Sequence, residues 1–177
     1  MSGYDIDGHG WTVTNHGQGG FSRAVNCAAA VIYDGHPIPP GQGAQVGLNQ
    51  FGQTLYQDLA ATYQSGKIYI LSSLFGFSNQ KPQGSMELSL QTSSGTVLGT
   101  SSYPPPDAFT QTNAIVTVDM ADHPTEVGQT IRVSIKTTQT GGQSNFAFDL
   151  VELQEIPEPA MGIFALLGLL AVRRFRG

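Results

Sequence analysis

Ser85-Met86-Glu87-Leu88-Ser89-Leu90-Gln91 is the stretch on which the fold turns. Apolar and polar residues alternate along it, the period of a strand with one face on a core: Met86, Leu88 and Leu90 point inward, Ser85, Glu87, Ser89 and Gln91 toward water. Thr130–Lys136 repeats the pattern with Ile131, Val133 and Ile135 inward, and Ala114–Val118 places Ala114, Val116 and Val118 on one side. Ala44–Asn49, Thr54–Leu59 and Thr96–Thr100 read as further short strands. Ser93-Ser94-Gly95 and Ala121-Asp122-His123-Pro124 read as the turns between strands. Ile68–Phe77 is apolar on both faces, which predicts the deepest strand, covered on each side. Asn145–Leu153 alternates as Phe146, Phe148, Leu150 and then slips phase to Val151 and Leu153, the mark of a β-bulge. Tyr103-Pro104-Pro105-Pro106-Asp107 reads as a polyproline-like surface connection, since proline cannot donate to a ladder. No helical period appears between Trp11 and Leu153. The expected fold is therefore all-β, an antiparallel jelly-roll-like β-sandwich of roughly nine strands, followed by one C-terminal apolar helix.

Composition agrees with a β-rich chain. Of 177 residues, 40% are hydrophobic and only 12% charged, while 22 are glycine. That length suits one domain with a core and a short appendage. The formal charge of −5 hides an asymmetry, because Arg173, Arg174 and Arg176 crowd the C-terminus. Without Ile156–Gly177, five basic side chains face twelve acidic ones; such a body repels phosphate backbones, so nucleic acid is not an expected partner. The single cysteine, Cys27, has no internal disulfide partner and reads as a small packed hydrophobe. Met1–Gly20 is polar and glycine-rich, without the basic start and apolar core of a signal peptide, so the expectation is that the true start lies upstream of Met1.

After Glu155 the character of the chain changes. Pro157-Glu158-Pro159 is followed by thirteen uncharged, mostly apolar residues, Ala160–Val172, and then by Arg173-Arg174-Phe175-Arg176. A helix of that length spans about 20 Å against a hydrocarbon core of about 30 Å, so length alone does not establish a crossing. The absence of a polar stripe and the basic end favour a membrane helix with its C-terminus in the cytoplasm. The order of the three parts resembles the PEP-CTERM sorting domain. That resemblance implies a β-sandwich body over 1–155 and a sorting tail over 156–177, with Pro157, Glu158 and Pro159 as the sorting motif and Arg173, Arg174 and Arg176 as the basic end of the membrane helix. It further implies an exosortase-type processing enzyme and the membrane as partners. The protein is then expected at the cell envelope, anchored by its C-terminus or released to the surface after processing.

The body more loosely resembles galactose-binding-like and carbohydrate-module jelly rolls, through Gly10-Trp11-Thr12-Val13, Val127-Gly128-Gln129 and Phe148-Asp149-Leu150-Val151-Glu152-Leu153. Polysaccharide is the partner this implies. Among Trp11, Tyr33, Tyr56, Tyr63 and Tyr103, whose ring faces suit stacking on sugars, Tyr103 beside its three prolines is the expected exposed ligand-binding residue. Related sandwiches hold a structural calcium near the first and last strands, with Asp149 as the metal-ligand candidate; no other cofactor is expected. His9, His16, His36 and His123 form no His-x-x-x-His pair, and Asp5-Ile6-Asp7-Gly8 lacks the remaining acids of an EF-hand loop. There is no Gly-x-Ser-x-Gly elbow, no phosphate loop and no carboxylate pair singled out by spacing. The resulting expectation is a non-enzymatic surface or matrix protein, with a glycan-binding module and a secreted hydrolase as alternatives.

Overall fold

In the computed structural model, residues 3–5, 11–14, 23–26, 45–49, 52–78, 84–105, 112–138 and 145–158 are described. They contain eleven strands: β1 (Gly3–Asp5), β2 (Thr12–Thr14), β3 (Arg23–Asn26), β4 (Gln45–Asn49), β5 (Thr54–Thr62), β6 (Lys67–Ser78), β7 (Met86–Thr92), β8 (Val97–Tyr103), β9 (Thr112–Asp119), β10 (Thr130–Thr137) and β11 (Asn145–Pro157). They form two antiparallel sheets, one of six strands in the order β1-β3-β4-β11-β6-β9 and one of five in the order β2-β5-β10-β7-β8.

The alternating stretches do what their period requires. Met86, Leu88 and Leu90 of β7, Ile131, Val133 and Ile135 of β10, and Ala114, Val116 and Val118 of β9 are all buried in one core with Leu55, Tyr69, Leu71 and Phe75. Burying a side chain such as Leu88 contributes about 1.5–3 kcal/mol, and the two inner faces interlock because the pleat sends every second residue between the sheets. Ser89, expected to face water, is buried as well, and so is Ser134; they are register partners on the far face of the five-stranded sheet. The Ser93–Gly95 turn forms as read, with Gly95 at φ 97° and its N–H donating to the Thr92 carbonyl.

β6 differs in part from its reading. It lies between β11 and β9, and Tyr69, Leu71, Ser73 and Phe75 are buried, but Ile68, Ile70 and Leu74 on the opposite face are only half-buried. Among the described residues this strand is covered fully on one side. β11 breaks register with β6 between Asp149 and Glu152, which is the bulge the phase slip announces. β11 then continues past Glu155: Ile156 and Pro157 pair with Ile68 and Lys67, and the Glu158 N–H donates to the Gly66 carbonyl at 3.0 Å. The strand therefore runs through the expected boundary between body and tail. The expected apolar helix Ala160–Val172 lies outside the described residues, among which no helix is long and apolar enough to cross a membrane.

Candidate active site

A cavity of about 320 Å³ opens between the sheets, lined by Trp11, Gln57, Leu59, Leu71, Val133, Phe148, Asp149, Leu150, Val151 and Leu153. Its floor follows from strand periodicity. Leu55, Gln57 and Leu59 share the inner face of β5, and Gln57 is a polar residue in a series that is otherwise apolar. Val133 comes from β10, the central strand of the five-stranded sheet, and Leu71 from β6 of the facing sheet. Trp11 closes one side, its ring 6.1 Å from that of Phe148 and inclined at 58°.

The bulge in β11 makes the remaining wall. Between the register pairs Asp149↔Leu74 and Glu152↔Ser72, two residues of β11, Leu150 and Val151, stand opposite the single Ser73 of β6. Leu150 absorbs the extra residue in the left-handed region, at φ 49°. Glycine is the usual occupant of such a position, and a side chain there costs about 1–2 kcal/mol. The slip sends Val151 and Leu153 back toward the cavity and leaves Leu150 on the rim, 41% exposed. It also fixes Asp149, whose Oδ1 accepts from the Leu150 N–H at 2.8 Å, while its carbonyl accepts from the Ser73 hydroxyl at 2.8 Å. Among the described residues, Asp149 is the one ionisable side chain on the cavity wall. The described lining is therefore mostly apolar, with an aromatic corner, the Gln57 amide and the Asp149 carboxylate, an arrangement fit to bind a small hydrophobic molecule and to move a proton on it.

The other candidates fall elsewhere. Tyr103 is not the exposed platform expected beside the prolines, because it closes β8 and is half-buried. Its ring meets Phe75 edge-on at 5.9 Å, and its hydroxyl accepts from the Ile115 N–H at 2.8 Å and donates to the Ile115 carbonyl at 3.0 Å. That hydroxyl occupies the outer edge of β9, the last strand of its sheet. Tyr63 is fully buried, donates to the Gln91 carbonyl and meets Tyr69 edge-on; burial pushes its phenol well above the ordinary range. Tyr56 lies on the outer face beneath Arg132, whose guanidinium stacks 3.9 Å from the ring centroid and pairs with Asp58. Asp149 sits in the cavity wall, and among the described residues no group of three or more His, Cys, Asp or Glu side chains is arranged to hold a metal. Pro157 ends β11. Glu158 lies near Asp119 and Asp122, and its pKa is raised by desolvation and by those two carboxylates. Pro159, Arg173, Arg174, Arg176, Tyr33 and Cys27 lie outside the described residues.

With this geometry the chain can be set beside known proteins. A family model described as HpiC1-like, HpiC1 cyclase, matches residues 2–154; the chain belongs to the HpiC1-like family. Among solved structures, the Stig cyclase Fisc from Fischerella sp. TAU, in complex with (3Z)-3-(1-methyl-2-pyrrolidinylidene)-3H-indole, is similar at TM-score 0.72 and 17% identity, over 89% of this chain and 90% of that one. A cyclase from Fischerella sp. TAU in complex with 4-(1H-indol-3-yl)butan-2-one is similar at TM-score 0.71 and 18% identity, over the same shares of the two chains, 89% and 90%. The CBM22-1 xylan-binding domain of Paenibacillus barcinonensis Xyn10C is similar at TM-score 0.56 and 9% identity, over 85% of this chain and 88% of that one. Its likeness agrees with the carbohydrate-module jelly-roll resemblance of the body at the level of fold. No curated protein matches in sequence.

The family match overturns the expectation of a non-enzymatic surface protein sorted by an exosortase through its tail, together with the glycan-binding and hydrolase alternatives. The match runs over the β body and is to cyclases. The physical reason for the error lies in the site. Among the described residues of the wall, Asp149 sits between residues that read as core, so no paired or spaced motif announces it. Gln57, Leu59, Leu71 and Val133 line the cavity without any motif to mark them; the signal the sequence offers is a polar residue in a core-phase position, at Gln57 in the wall and at Ser73 behind the bulge.

Proposed function

We propose that this protein is a cyclase that closes a ring on a small, largely apolar substrate carrying an aromatic group of indole type. The observation that carries this reading is the cavity between β5, β10 and β11, walled by Trp11, Phe148 and aliphatic side chains with Asp149 at its edge. Its volume of about 320 Å³ falls at the small end of ligand sites and suits a compact bicyclic molecule with a short side chain. Family membership and the indole compounds held by the similar cyclases support the same class.

Ring closure by isomerisation asks three things of such a chamber. Apolar walls hold a flexible chain folded with its reacting carbons in contact, and they exclude water that would trap a cation. A single carboxyl group moves the proton. With Asp149 carrying it, the proton passes to an unsaturated carbon, and the electron pair of the aromatic ring closes a carbon–carbon bond onto the resulting cation. The Asp149 carboxylate then takes a proton back from the ring carbon. Nothing is gained or lost, so the product is an isomer of the substrate.

The test is to incubate the full chain with linear indole compounds bearing an unsaturated side chain and to follow them by chromatography, mass and NMR. The expected result is a new cyclic product of unchanged mass, together with calorimetric binding of 4-(1H-indol-3-yl)butan-2-one. Unchanged substrates and no heat of binding at millimolar ligand would overturn the reading.

A further inference from the structure

The inner face of β6 reads Tyr69, Leu71, Ser73, Phe75. Three of these are large and apolar, as a core position between two sheets demands. The fourth is a serine, only 3% exposed. A buried hydroxyl is tolerated when it is paired, and this one donates at 2.8 Å to the carbonyl of Asp149, the residue at which β11 leaves register. One residue further on, Leu150 holds the left-handed conformation, and its N–H turns back onto Asp149 Oδ1. The two hydrogen bonds grip Asp149 from opposite ends, one at its backbone and one at its carboxylate. A left-handed leucine persists only where its surroundings over-determine it, and such positions gather at functional sites.

Resting on the reading of Asp149 as the proton-transfer group, we propose that Ser73 is a positioning residue. By anchoring the Asp149 carbonyl across the β6–β11 pair it holds Leu150 left-handed, keeps the Leu150 N–H on Oδ1, and so fixes the carboxylate on the cavity wall. Ser73 touches no substrate; it acts through the bulge. Without the anchor the strand relaxes toward regular pairing, which turns the Leu150 amide away from the carboxylate and displaces Val151 and Leu153 from the wall. The strain of a left-handed leucine, which glycine would not carry, favours that relaxation, and the hydroxyl at 73 resists it.

The experiment compares the full-length protein with Ser73→Ala, Ser73→Cys and Ser73→Thr. Two quantities are read: hydrogen exchange of the Leu150 amide by NMR, and calorimetric affinity for 4-(1H-indol-3-yl)butan-2-one. Ser73→Ala should speed exchange at Leu150 at least tenfold and weaken the ligand about tenfold, while amides of Leu88 and Ile135 at the core keep their rates. Ser73→Cys keeps the volume with a much weaker donor, so it gives the same readout should the alanine variant fail to fold. Ser73→Thr retains the hydroxyl and should restore both quantities to within about threefold. Unchanged exchange at Leu150 in Ser73→Ala or Ser73→Cys overturns the proposal, and so does weaker binding with the Leu150 rate intact. If the unmodified protein does not bind the indole compound, the cyclase reading falls, and the exchange measurement still decides whether Ser73 holds the bulge.

Discussion

Two regions of the same sandwich treat the gap between the sheets in opposite ways. At the seam of β8 and β9 the sheets close until only glycine fits: a Cβ on Gly99 would lie 2.7 Å from Val118 Cγ2 and 3.0 Å from Val116 Cγ1. Tyr103 then seals the edge with both of its hydrogen bonds to Ile115. Around the β11 bulge the sheets part to leave the cavity, and the chain tolerates a leucine at φ 49° and a buried serine to keep it open. One region is built for stability and the other departs from that optimum, as expected when a site is cut into a core.

The sharpest way to break this contrast is Asp149→Asn, which keeps the shape of the cavity and removes its acid. Ring closure should slow by about 100- to 10,000-fold with the thermal midpoint almost unmoved, as product formation and calorimetry would record. The seam should answer in the reverse sense. Gly99→Ala drives a methyl into two valines whose branched side chains have few alternative rotamers, so it should destabilise by about 1–3 kcal/mol in urea unfolding and leave ligand affinity within twofold.

Tyr103→Phe keeps the ring against Phe75 and removes the hydroxyl, leaving the Ile115 N–H and carbonyl unpaired by it. A loss of about 1–2 kcal/mol is expected, again with the cavity unaffected. Leu150→Gly sharpens the comparison from the other side. If the left-handed conformation is the strained element, this variant should gain about 1 kcal/mol in unfolding free energy, an increase rather than a loss. The smallest effect belongs to the outer face behind the cavity. The Arg132 guanidinium beside Asp58 holds that carboxyl below its ordinary pKa, through their hydrogen bonds first. Asp58 is depressed on folding, so its contribution is present above the unfolded value near 4 and fades as pH falls through the lower folded one. Being half-exposed, the pair is worth about 0.5 kcal/mol. Arg132→Ala should therefore lower stability slightly at neutral pH and by less in strong acid, where only its stacking on Tyr56 is lost.

Most of the core was readable from the sequence. Met86, Leu88, Leu90, Ile131, Val133, Ile135, Ala114, Val116 and Val118 alternate because one face is buried and the other is not, and burial with period two is what a linear sequence displays best. The bulge was readable too, since Phe148 and Val151 cannot share a face in a regular strand. The use of the bulge was not. A cavity is a shortage of atoms between residues that each look like ordinary core, and Leu59, Leu71 and Val133 give no sign that their neighbours stand back. Tyr103 was misplaced because its three following prolines suggest a loop, whereas β8 carries pairing through Tyr103 itself, opposite Met86. The tail drew attention because its composition is extreme.

The cavity joins the two ends of the described chain, with Trp11 from before β2 and Phe148 through Leu153 from β11 on the same wall. During synthesis the aromatic corner therefore waits until β11 has emerged, and among the described residues the contact between Trp11 and Phe148 is one of the most distant in sequence. Loop-closure entropy makes such pairings late and slow. A nascent chain stalled before β11 would hold its five-stranded sheet without the cavity, which would exist only once β11 zips into place beside β6.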